Sequence, residues 1–377
     1  MLPRFFFYLF ILVIHAACIL FGPCYHSCLL IVNASRPFLF NQAHNFRTHR
    51  GMSMGITSAS IGLCGLVYSQ INDHFFKDEQ GDDEHQMYLF LVFFAFAMAG
   101  GMLLGSFFLG PLDFGKTPSV VETAPLLHSD DTPMIGNSIQ PQHRNKDEEA
   151  ERDEPCLSGL DFFTHPVGFA LFVTLFIGLG LGYVYLASIG PILLALPSAV
   201  ATSNAQHLRN IHVSTFSIAN CASRAGFGTL SDILKSKFGV HRIWVFWAAL
   251  VGLTASLFYL VTGVTTPETL LPCTISVAVV YGIVFGVAPA TTSEFGTDVF
   301  ARNWGWLLFA PAIGSQSFNI LFGALYDRQA KRQGVDVCQG TICFRRAFEI
   351  GIMASVVCLL VISWAIVKMR LYNRIAR

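Results

Sequence analysis

The run Arg224-Ala-Gly-Phe-Gly-Thr-Leu-Ser-Asp232, followed by Lys235, Lys237, Gly239 and Arg242, gathers groups capable of reversible ionic chemistry in an otherwise apolar chain. A guanidinium stays charged at any relevant pH and can hold a carboxylate through two parallel hydrogen bonds. Arg224 falls two helical turns inside the lipid from Asp232, where an ionisable group is costly and marks a functional position. At about 1.5 Å per residue, the two lie about 12 Å apart along a helix, too far to pair within one straight segment. Two readings of Arg224 stay open: a contact for an anionic solute, or a structural cation that snorkels to the interface or pairs elsewhere. Asp232, Lys235 and Arg242 read as a gate whose charges pair in one conformation and separate in another. Gly228 would let helices approach closely there. The glycine density predicts a tight turn over 224–232, joining two membrane helices.

Other polar groups are weaker candidates. Glu294, Asp298 and Arg302 surround the next turn on the same side and either join the gate, Glu294 first, or are solvated loop charges. Tyr183 and Tyr185 sit among Gly178, Gly180 and Gly182, so Tyr183 is a candidate solute contact beside a plain packing role. Gly101/Gly105 and Gly282/Gly286 are small-residue pairs for helix packing. His15 and His26 lack a visible acidic partner and read as packed neutral histidines. Cys24 and Cys28 share a helix face while His26 points away, so the three do not converge on a metal. Cys338 and Cys343 lie together in a short loop, where a disulfide is one reading. The sequon Asn33-Ala-Ser35 falls inside an apolar segment, against glycosylation.

These residues must be positioned by membrane helices. Hydrophobic residues make up 53% of the 377, charged residues 13%, and mean hydropathy is +0.54. A soluble chain carries about twice that charge density. The formal net charge of zero leaves no electrostatic footprint for nucleic acid. Ten apolar stretches approach the roughly 20 residues needed to span a bilayer: 5–21, 23–40, 52–71, 88–110, 166–190, 211–231, 241–263, 269–291, 303–325 and 347–368. A cleaved signal peptide is the rival reading of the first. Between the fourth and fifth, residues 112–160 are rich in Ser, Pro, Gln and charge, too polar to fold alone. The expected organisation is therefore a four-span bundle at 1–111, a disordered cytosolic linker at 112–165 and a six-helix bundle at 166–377. With both termini cytosolic, the short cytosolic segments hold eleven Lys and Arg against seven on the other side. Five of those seven crowd into 326–346, against the positive-inside trend.

Several short stretches, in order, resemble the major facilitator superfamily, and most closely its fungal branch of monocarboxylate transporter homologues, with kinship to plant nodulin-like carriers. They are His49-Arg50-Gly51 at a helix start, Arg224 to Asp232, Phe300-Ala-Arg-Asn-Trp-Gly305, Gly323-Ala-Leu-Tyr-Asp327 and Cys338-Gln-Gly-Thr-Ile-Cys343. The resemblance implies an all-α polytopic fold of two six-helix halves, with a solute site near the midplane and alternating access. Aligned this way, the chain begins at the third helix of that plan, and transport by this polypeptide alone is expected to be inefficient. In true monocarboxylate carriers an Asp one turn before the equivalent arginine contributes to proton coupling. Asn220 stands there in this chain and cannot titrate, so the coupling proton and the substrate both stay open. Glu122-Thr-Ala-Pro-Leu126-Leu127 is similar to acidic dileucine signals read by sorting adaptors, and the resembled branch is associated with the vacuolar membrane.

The resulting expectation is a secondary transporter, not an enzyme, moving a small solute such as an organic anion across the vacuolar membrane. It needs no cofactor: no phosphate-binding loop and no covalent catalytic cluster is visible. The alternatives are a non-transporting solute sensor and a plasma-membrane carrier. Protease mapping in sealed vesicles should find residues 112–160 and 369–377 on one membrane face; opposite faces would overturn this topology.

Overall fold

The computed structural model describes residues 49–75, 83–108, 156–196 and 201–371, and among these no strand occurs. Two long helices come first, α1 (Arg50–Phe75) and α2 (Asp83–Phe108). After the short α3 (Leu160–Thr164), α4 (Pro166–Thr174), a π-helical turn (Leu175–Leu179) and α5 (Gly180–Ala187) run on as one rod. Then follow α6 (Ile189–Ala195), α7 (Ala201–Phe238), α8 (Ile243–Thr262) and α9 (Pro267–Thr292). The last are α10 (Phe300–Leu307), α11 (Phe309–Gln333) and α12 (Ile342–Lys368). Six segments among the described residues are long and apolar enough to cross a membrane: Arg50–Tyr68, Pro166–Ala187, Ile243–Thr262, Pro267–Phe295, Phe300–Gln333 and Ile342–Lys368. Helices also cover 88–108 of the expected span 88–110 and all of 211–231, though with shorter or more polar apolar runs. The two expected spans before residue 41, and the dileucine stretch at Glu122, Leu126 and Leu127, lie outside the described residues.

Local signals explain the helix ends. Thr266 and Thr269 form a reciprocal capping box at the start of α9, with Pro267 in the first helical position. Pro166 opens α4 in the same way. The expected turn at 224–232 is not there. α7 continues through Gly226 and Gly228 for 38 residues, about 57 Å at 1.5 Å per residue. Its polypeptide bends back only at Gly239, whose φ of 64° is costly for a residue with a Cβ. The N–H groups of Gly239 and Val240 donate to the carbonyls of Lys235 and Leu234, satisfying acceptors in the last turn. Glycine inside α7 marks close packing rather than chain reversal.

That packing organises the fold. α7 lies between α1 and α9, touching both through backbone. A Cβ on Gly228 would sit 2.5 Å from the Gly51 oxygen and 2.9 Å from the Gly55 Cα; one on Gly286 would sit 2.8 Å from the Arg224 Cα. In lipid, apolar side chains gain little by leaving the acyl chains for one another, so association rests on such close van der Waals contact and on polar pairing. α9 is buried along most of its length, from Leu270 through Thr292. The end of the expected linker is also ordered. Leu157 N–H donates to the Phe295 carbonyl at 3.1 Å, Asn303 Nδ2 donates to the Leu157 carbonyl at 2.8 Å, and Phe162 is fully buried. Residues 156–165, expected as part of the linker, are therefore ordered, because Leu157 and Phe162 have apolar sites waiting for them.

A Gly228→Val substitution should force α1 from α7 and lower stability by about 1–3 kcal/mol, the usual cost of overpacking. Gly226→Ala, whose Cβ meets nothing within 4 Å, should leave the thermal midpoint of the detergent-solubilised protein unchanged.

Candidate functional site

Asp232 sits near the end of α7, buried at 6% exposure, and its carboxylate caps another helix. Oδ1 accepts from Gly51 N–H at 3.0 Å and Oδ2 from Met52 N–H at 2.8 Å. Both donors belong to the first turn of α1, where N–H groups have no partner within their own helix and the macrodipole favours negative charge. The carboxylate can reach them because residue 51 is glycine: a Cβ there would stand 2.5 Å from Oδ1 itself. Only six residues beyond Asp232 the helix ends, and the tight return at Gly239 brings Arg242 back against it.

Arg242, 4% exposed, joins two carboxylates. Its Nη2 pairs with Asp232 Oδ1 and its Nη1 with Glu294 Oε1, while Nε donates to Ser231 Oγ at 3.4 Å. Lys235 Nζ also pairs with Glu294 at 2.7 Å, from a half-exposed position, and His241 Nε2 lies 3.6 Å from the same carboxylate. Glu294 stands just beyond α9, so the network ties α7, the α7–α8 turn and the end of α9 together. Arg50 adds a parallel strap that the sequence had offered only as part of a helix start. It is 7% exposed and donates to the Ser293 carbonyl and to Thr297 Oγ1, each at 3.1 Å, linking the start of α1 to the segment after α9. Of the neighbouring charges, Arg302 bonds Ser158 Oγ and Asp298 is exposed. The structure thus gathers Asp232, Gly228, Lys235, Arg242 and Glu294 into one junction.

Arg224 lies about two turns deeper on α7, and Asn220 about one turn deeper still. The Arg224 guanidinium, 2% exposed, donates through Nε to Asn220 Oδ1 and through Nη1 to the Ser58 carbonyl of α1, both at 2.9 Å. Its plane faces Phe285 with 4.2 Å to the ring centroid, and Tyr281 lies at 5.8 Å. Aromatic faces attract a desolvated cation. Asn220 therefore acts as an acceptor that orients the guanidinium. Tyr183 is 47% exposed on α5 and makes none of these contacts. The buried tyrosine is Tyr185, whose hydroxyl lies 2.7 Å from Thr274 Oγ1; His212 Nδ1 meets the same oxygen at 2.8 Å. This second buried polar cluster was missed because His212 has no partner near it in sequence. Phe285 and Tyr281 were missed for a similar reason: aromatic residues at helical spacing in an apolar span look like packing.

Cys338 and Cys343 form a disulfide at the opposite end of the helices. Among the described residues no three His, Cys, Asp or Glu side chains gather as metal ligands.

No protein-family profile matches the chain. Three fungal proteins, each named probable transporter MCH1, are similar to it. That of Wickerhamomyces anomalus is 25% identical over 285 residues, covering 74% of this chain and 54% of its own. That of Saccharomyces cerevisiae is 29% identical over 201 residues, covering 52% and 40%. That of Neurospora crassa is 22% identical over 382 residues, covering 80% and 62%. The chain thus spans about half the length of the curated relatives it matches. Their names support a transporter, and together with the apolar helices they support a multi-pass membrane protein.

Removing one partner of a buried ion pair strands the other, whereas removing both is milder. A double-mutant cycle of Asp232→Asn and Arg242→Gln, read by unfolding in detergent, should therefore give a coupling energy of about 0.5–3 kcal/mol. A coupling near zero would dissolve the network.

Proposed function

We propose that the chain belongs to a major facilitator type secondary transporter that moves a small organic anion by alternating access. The observation carrying this reading is the Asp232 junction, in which a carboxylate on α7 holds the first turn of α1 while Arg242 and Glu294 hold α7 to α9. Each of these bonds is ionic or a hydrogen bond to a helix end, so water and counter-charges can replace it when the helices part. A buried apolar seam would reopen less readily, because its surfaces would have to be wetted.

The same motion would reach Arg224. Its Nη1 donates to a carbonyl of α1 and its ring partners sit on α9. Withdrawal of α1 at the Asp232 end would remove the Ser58 carbonyl from Nη1. The guanidinium would then have a donor turned toward the opened space, suited to a carboxylate. Asn220 would hold Nε in place, fixing the orientation in which the anion is met. Gate opening and creation of the anion contact thereby become one event. Tyr183, half-exposed on the rod of α4 and α5, is available to the solute from another helix.

The vacuolar membrane is the favoured location, on the strength of the dileucine pattern at Glu122, Leu126 and Leu127 and of the family resemblance. A sorting adaptor would be the partner reading that signal.

Uptake of radiolabelled small carboxylates into proteoliposomes carrying the full-length protein tests the proposal. Arg224→Gln should reduce uptake of the transported anion at least about tenfold, a loss of about 1.4 kcal/mol of interaction. Arg224→Lys should recover only part of it, since the ammonium lacks the planar fork. Undiminished uptake by Arg224→Gln would remove the proposed contact.

A further inference from the structure

The end of the molecule opposite Asp232 carries an unexplained excess of positive charge. From Tyr326 to Glu349 there are five Lys and Arg but three carboxylates, Asp327, Asp336 and Glu349. Glu349 is committed to Arg345 at 2.9 Å, leaving three arginines that line one small cleft: Arg328 and Arg332 from α11, and Arg346 from α12. Gln329 and the first residues of α12, Ile342 and Cys343, complete its wall. None of the three guanidinium groups has an ion-pair or hydrogen-bond partner among the described residues.

We propose that Arg328, Arg332 and Arg346 form a binding site for a phosphate group. Arg328 and Arg332 are one helical turn apart, so their like charges face each other on one side of α11, an unfavourable arrangement unless an anion lies between them. Arg346 faces the same cleft from the second turn of α12. A bound oxyanion relieves that repulsion. A merely solvated basic face would be served equally by lysine; three planar forks suit the oxygens of a phosphate.

The cleft is small, about 30 Å³. That size suits one compact oxyanion group, with the rest of any molecule bearing it lying outside the cleft. It is also held rigid. The Cys338–Cys343 disulfide closes the loop between α11 and α12. Gln333 grips the Gln339 backbone twice, donating to its carbonyl at 2.8 Å and accepting from its N–H at 2.9 Å. Gly340 N–H donates to the Ala195 carbonyl at 2.7 Å, anchoring the loop to α6. The arginines therefore meet an anion with their helices already in place, which lowers the ordering cost of binding. The phosphate could belong to a soluble molecule or to a lipid headgroup, the latter a known ligand class of basic pockets between membrane helices.

The test uses the whole chain in nanodiscs. In pure phosphatidylcholine discs, pyrophosphate should bind by titration calorimetry, and Arg328→Gln/Arg332→Gln/Arg346→Gln should weaken binding at least tenfold. Arg345→Gln, outside the cleft, should leave it unchanged. In discs containing phosphatidic acid, a headgroup source predicts that this lipid is retained in native mass spectra, blocks pyrophosphate and is lost from the triple variant. A soluble source predicts pyrophosphate binding undisturbed by the lipid. Should the triple variant misfold, Arg332→Gln alone and the triple Lys variant serve instead, each with weakened binding. If the parent neither binds pyrophosphate nor retains phosphatidic acid, or if the variants do both as well as the parent, the site does not exist.

Discussion

A single carboxylate at a helix start governs the arrangement of the described chain. Asp232 satisfies two backbone donors of α1 that no other group in that helix can reach, and it does so in a buried setting. An unpaired N–H in such a place costs free energy comparable to a lost hydrogen bond. The start of α1 is consequently bound to α7 by need rather than by general stickiness. Arg242 then neutralises the same carboxylate, and Glu294 balances Arg242. Remove the charge on residue 232 and the start of α1 loses its cap while Arg242 loses a counter-ion, so each element depends on the others.

Glycine makes this possible at the level of sequence. Gly51, Gly55 and Gly228 bring two backbones into contact, and only that closeness lets a short aspartate side chain reach across to neighbouring N–H groups. Along the same helix, Arg224 exploits the second close approach, toward α9, to lie against the Phe285 ring. α7 thus packs closely against both α1 and α9, with its polar residues aimed at both.

Much of the junction could be read from residue types. In a chain with so few charges, Asp232, Lys235, Arg242 and Glu294 fall near the ends of apolar segments where charges find one another, and the structure brings them together. What could not be read was geometry that depends on packing. Gly226 and Gly228 resemble a turn signal because glycine breaks isolated helices, yet neighbouring backbone makes the same residues helix contacts, and the chain reverses later at Gly239. Arg50 looked like an ordinary basic residue at a helix start. Its acceptors, Ser293 and Thr297, are more than 240 residues away. Leu157 and Phe162 were hidden in a polar stretch because two or three apolar residues do not announce a docking site elsewhere.

The two ends of the helices are fastened in chemically different ways. At the Asp232 end the ties among α1, α7, the α7–α8 turn and the end of α9 include ion pairs and hydrogen bonds that solvent can take over, beside the glycine backbone contacts and the Phe162–Phe295 packing. At the far end, the loop between α11 and α12 is tied to the start of α12 by the Cys338–Cys343 disulfide and to the end of α11 by Gln333. In the proposed alternating access, the exchangeable bonds at the Asp232 end would break and re-form while the loop before α12 keeps its geometry. A rocking movement needs one such pair of properties: a seam that can open, and a body that does not deform as it does. Arg224 lies between these extremes, where it would lose its α1 contact if the seam parted as proposed, and is backed by α9, a helix buried along most of its length.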